Sequence, residues 1–76
     1  MKKKGNEFKF KKEFYDIKSI KESIKDFKDV AKITLTNEGA NIKVNIISKE
    51  GDISNEKMYL EFRNYVLSMM KNKIIV

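Results

Sequence analysis

Residues 31–48 read "AKITLTNEGANIKVNIIS", and their alternation decides the fold. Ala31, Ile33 and Leu35 alternate with Lys32, Thr34 and Thr36. Ile42, Val44 and Ile46 alternate in the same way with Lys43, Asn45 and Ile47. A period of two places each apolar set on one face of a strand. Between the two runs, "NEGAN" (37–41) supplies turn chemistry, with Gly39 able to take a positive φ. The stretch therefore predicts a hairpin with one apolar face, and such a face must be covered by a second layer.

The segment before it supplies one cover. "DIKSIKESIKDFKDV" (16–30) spaces Ile17, Ile20, Ile24 and Phe27 by three, four and three residues, which is one stripe of a helix. Asp16 is a suitable N-cap. Ser19 and Ser23 sit close to the stripe, where small side chains permit near approach to a sheet. Further upstream, "EFKFKK" (7–12) turns Phe8 and Phe10 one way and Lys9 and Lys11 the other, as a half-buried strand does.

The segment after the hairpin supplies the second cover. "KEGD" (49–52) reads as a loop, and Ser54 is a good N-cap, with Ile53 and Met58 placed as a hydrophobic staple. At about 100° per residue, Met58, Phe62, Tyr65, Val66 and Met69 fall on one stripe, the expected core face. Leu60 and Leu67, seven residues apart, fall on roughly the opposite side. Ile74 continues that row if the helix reaches it, and Arg63 lies beside it. A second apolar ridge on a helix that one sheet face already occupies points to an interaction surface.

The order is thus strand, helix, strand, strand, helix. It predicts an α+β fold, a two-layer βαββα sandwich with sheet order 1-3-2 and both helices on one face, equivalent to a ferredoxin-like fold without its last strand. The final "KIIV" (73–76) is either the helix end or a stub of that missing strand. Residues 7–76 are expected to form one domain, with residues 1–6 a basic flexible tail.

The chain has 76 residues and no Cys or His. Disulfides and thiolate metal sites are excluded, as are the usual nucleophile–base pairs. Asp26/Asp29 and Glu50/Asp52 are local carboxylate pairs, not a pair converging in a cleft, and three glycines make no phosphate-binding pattern. No catalytic residue, cofactor or metal is expected. No run approaches the roughly 18 apolar residues of a membrane span, and the basic start lacks the apolar stretch of a secretory signal. A cytoplasmic protein is expected.

The net charge is +6, but it is unevenly placed. Residues 1–12 hold Lys2, Lys3, Lys4, Lys9, Lys11 and Lys12 against Glu7, whereas the remainder holds eleven basic and ten acidic residues. The six lysines are the candidate polyanion contact, and a small nucleic-acid binder is the alternative reading. Aromatic residues interleaved with lysine can stack bases, but Phe8 and Phe10 are also the residues the core needs from this strand.

Two stretches resemble the HxsD family, small proteins of the His-Xaa-Ser peptide-modification systems. "YDIKSIKESIKDFKD" (15–29) matches through Tyr15, Ile17, Ser19, Ile20, Ser23, Phe27 and Asp29. "EFRNYVLSMMK" (61–71) matches the family's Glu-Phe-Leu-Asn-x-x-Leu segment at Glu61, Phe62, Asn64 and Leu67, with Arg63 in place of an apolar residue. Asn64 is the least generic of these matches, because asparagine is a poor helix former. The resemblance implies a non-catalytic accessory protein of a radical SAM peptide-maturation system, which binds the peptide, its modifying enzyme or another copy of itself. Leu60, Arg63, Asn64, Leu67, Met70 and Ile74 are the expected interface, serving a homodimer or a protein or peptide partner.

Overall fold

A computed structural model of the chain describes residues 5–74, with side chains through Lys71. The elements are β1 (Asn6–Lys11), α1 (Ile17–Asp26), β2 (Ala31–Glu38), β3 (Asn41–Ser48) and α2 (Asn55–Ile74). The three strands form one antiparallel sheet in the order β1-β3-β2. This is the expected α+β arrangement, with β1 starting one residue earlier than its alternation suggested.

The register explains why both helices share a face. Phe8 lies opposite Val44 and Phe10 opposite Ile42, while Ile33 faces Ile46 and Leu35 faces Val44 from the other side. Every apolar position of the three strands except Ile47, which lies opposite Lys32 on the bare face, is therefore on the same surface. Gly39 turns the hairpin at φ 61°, and Ala40 after it keeps a negative φ. That is the pattern of a II′ turn, whose twist matches that of the flanking strands. An L-residue with a side chain would be strained at Gly39.

Asp16 caps α1, accepting from the N–H groups of Lys18 (3.4 Å) and Ser19 (3.3 Å). The helix ends at Asp26, short of the expected Val30. The N–H groups of Val30 and Ala31 both return to the Phe27 carbonyl (3.0 and 2.9 Å), a tight turn that redirects the chain into β2. Ser54 caps α2 by accepting from the Lys57 N–H (3.1 Å), and Ile53 packs against the core that holds Met58. α2 continues through Ile74, so the first two residues of "KIIV" are helical and no strand follows β3 among the described residues.

The core joins Phe10, Ile42, Val44 and Ile46 of the sheet to Ile20 of α1 and Met58, Phe62 and Val66 of α2, all essentially without exposure. Aromatic rings knit the layers. Phe62 meets Phe10 and Phe27 edge-to-face at 6.1 and 5.3 Å, and Phe10 meets Tyr15 at 4.7 Å. Such pairs add about 0.5–1.5 kcal/mol each beyond area burial. Ser19 and Ser23 are completely buried. Their hydroxyls are satisfied locally, Ser19 Oγ donating to Asp16 Oδ2 (3.1 Å) and Ser23 Oγ to the Ser19 carbonyl (2.8 Å). At one end of the sheet, the Asn55 side chain accepts from the Ser48 N–H (2.7 Å) and donates to Asn6 Oδ1 (2.9 Å), tying β1, β3 and α2 together.

Candidate functional site

The core face of α2 is rotated from the one its spacing suggested. Met58, Phe62 and Val66 are buried as expected, but Tyr65 lies at the rim and Met69 is only half-buried. Both turn toward α1: the Tyr65 hydroxyl donates to Asp26 Oδ2, and Met69 Sδ lies 3.2 Å from Ser23 Oγ. On the other flank, Tyr59 stacks flat on Phe8, with centroids 4.0 Å apart and planes at 4°. α2 thus has one flank on α1, a belly on the sheet and a flank over β1.

What remains is the outward face. Leu60 is 50 % exposed and Leu67 is 38 % exposed. Asn64 is exposed between them, and a shallow groove is lined by Asn64, Leu67, Ser68 and Lys71. Met70 is half-buried and packs against the core, so it joins this face only in part. Arg63, one turn beyond Tyr59 on the same flank, is half-buried, its Nε enclosed without a hydrogen-bond partner among the described residues. The side chain of Ile74 lies outside the described residues. The structure thus brings Leu60, Asn64 and Leu67 together, and sets Arg63 and Met70 on the flank beside them.

No family model, curated protein or solved structure matches the chain. The site therefore has to be read from its own chemistry.

Of the six candidate polyanion lysines, Lys2, Lys3 and Lys4 lie outside the described residues. Lys9, Lys11 and Lys12 are exposed and form no ion pair among the described residues. Phe8 and Phe10 turn to the helices, so the bare sheet face carries Lys9, Lys11, Lys32 and Lys43 with no aromatic ring to stack a base. On that face Lys9 stands directly opposite Lys43. The like-charge contact is offset because Lys43 Nζ reaches Glu38 (3.3 Å) and Glu7 (3.6 Å) on either side. Glu38, by hydrogen bond and then by charge, with Glu7 adding to it, raises the Lys43 pKa above 10.5.

The Tyr65 phenol is likewise raised above 10.0, chiefly by its hydrogen bond to Asp26. For both groups the folded protein holds its proton more tightly than the unfolded chain does. Their contribution is complete below the unfolded pKa and is lost as pH rises through the folded value. The melting temperature should therefore fall above about pH 10 as the Tyr65 phenolate comes to face the Asp26 carboxylate. Thermal melts between pH 7 and 11 should show Tyr65→Phe losing part of that fall. An identical decline in the variant would remove Tyr65 as a cause.

Phe14 has no place in the sequence reading, yet it is 61 % exposed. Tyr15 takes the inward position against Phe10.

Proposed function

We propose that the protein is a non-catalytic binding module, an accessory of a ribosomal-peptide maturation system that holds a peptide, its modifying enzyme or a second copy on the outer face of α2. The observation that carries this reading is the exposed Leu60/Leu67 ridge on a helix whose opposite side is a complete core face. An apolar ridge left in water costs free energy that a partner recovers. The resemblance to the HxsD family supports the choice of system. Its second segment is more than a core pattern, since Phe62 is buried while Asn64 and Leu67 are exposed. Two leucines and their neighbours make a small patch, and a stable interface buries about 1,200–2,000 Å². The ridge therefore suits a transient contact, or one that continues onto a second surface.

Leu67→Glu is the test. Its melting should stay within about 0.5 kcal/mol of the parent, because the site is on the surface. Association with a co-purified maturation enzyme, its peptide or a second copy should weaken about tenfold or more, by sedimentation velocity and affinity capture. Undiminished association would overturn the reading. The charge on residues 1–12 favours a second reading, a nucleic-acid binder. Capture that vanishes with nuclease, and a salt slope that drops when residues 2–4 are deleted, would establish it instead.

A further inference from the structure

β1 is an edge strand, and no described residue pairs with its outer side. The Lys12 N–H donates to the Ala40 carbonyl (3.0 Å), which extends the register beyond the pair of Lys11 and Asn41. Hydrogen-bonded pairs alternate along an antiparallel ladder. Asn6, Phe8, Phe10 and Lys12 therefore bond to β3, and the backbone groups of Glu7 and Lys9 and the N–H of Lys11 point to the open edge, the Lys11 carbonyl being taken by the N–H groups of Phe14 (2.9 Å) and Tyr15 (3.0 Å).

The surroundings of that edge are two-sided. On the helix side stand the half-buried Phe8, the Tyr59 ring stacked on it, and Arg63 one turn along the same flank of α2, with its Nε lacking a hydrogen-bond partner among the described residues. On the bare side stand Lys9 and Lys11, both exposed and unpaired among the described residues. A strand laid beside β1 presents its side chains to these two sides in turn. Apolar side chains match the helix side and carboxylates match the lysines.

A second copy of β1 is a poor occupant. Residues 1–12 carry six Lys against one Glu, so pairing two copies brings two strongly positive segments together. Edge lysines repel self-association in this way, while leaving the edge open to a strand of opposite charge.

We infer that the open edge of β1 takes up an extended segment of a partner protein that alternates acidic and apolar residues, adding it to the sheet as a fourth strand. The inference rests on the reading of the chain as a binding module, but it uses a surface separate from the α2 ridge. Main-chain bonds to Glu7, Lys9 and the Lys11 N–H supply the affinity, and the two sides supply the selection.

The probe is a short capped peptide alternating glutamate and valine, titrated into the ¹⁵N-labelled full chain. The amides of Glu7, Lys9 and Lys11 should shift and gain protection from exchange, and binding should weaken as salt is added. A double variant, Lys9→Glu with Lys11→Glu, should keep its dispersed spectrum and bind about tenfold more weakly or worse. Lys9→Pro should also keep the ladder to β3, because it removes only an outward N–H, and it should block binding. A peptide with lysine in place of glutamate should not bind. Equal binding of the two peptides would overturn the inference. So would unchanged binding by the double variant, or edge amides protected by a second copy as protein concentration rises. Leu67→Glu should leave the peptide response intact, so failure at the edge and failure at the ridge give different results.

Discussion

Phe62→Ala is expected to leave the domain unfolded or close to it. The ring is wholly buried between the sheet and α1, and its edge-to-face contacts reach Phe10 in the sheet and Phe27 at the end of α1. Emptying such a site costs about 3–5 kcal/mol. A chain of 76 residues has a total stability of roughly 4–11 kcal/mol. No disulfide adds to it, since the chain has no cysteine. Urea unfolding followed by far-UV circular dichroism should show a midpoint lowered by about 2 M or more, or no folded baseline at all. A loss below about 1 kcal/mol would mean that the ring does not join the two layers.

Ser23→Leu is the second large effect, and it runs in the opposite sense, by adding volume. Ser23 is completely buried where α1 meets α2, and its hydroxyl reaches both the Ser19 carbonyl and Met69 Sδ. A leucine has no space there without pushing α2 away, which costs about 1–3 kcal/mol. Ser23→Ala is the control. It loses a hydrogen bond worth about 0.5–1.5 kcal/mol, part of which is recovered because alanine is the better helix former. Chemical denaturation of both variants should rank leucine well below alanine. If leucine were as mild as alanine, the two helices would not be closely packed at this point.

Much of this was legible along the chain. The period-two alternation of residues 31–48 has one solution with a buried face, and the register of Ile33, Leu35, Val44 and Ile46 is that solution. Asp16 and Ser54 cap their helices because a short polar side chain ahead of an amphipathic run satisfies N–H groups that nothing local can reach. Phe8 and Phe10 face the helices because the other side of β1 is lysine and glutamate. The end of α1 was less legible. The apolar stripe continues through Phe27, but the chain must turn there to enter β2, and a stripe contains no information about where its helix must stop.

The sequence by itself therefore determined the elements, their order, the apolar face of the sheet and the presence of a second ridge on α2. These follow from local periodicity and capping, which act over a few residues. Only the tertiary structure decided how α2 is rolled on the sheet. Tyr59 is drawn to Phe8, and Tyr65 and Met69 to Asp26 and Ser23, by residues more than thirty positions away. That roll leaves Leu60 and Leu67 outward, half-buries Arg63 and Met70, and puts Arg63 on the same flank as Tyr59. A helical spacing fixes the angles between side chains, but their direction in space depends on the partners the fold brings up to meet them.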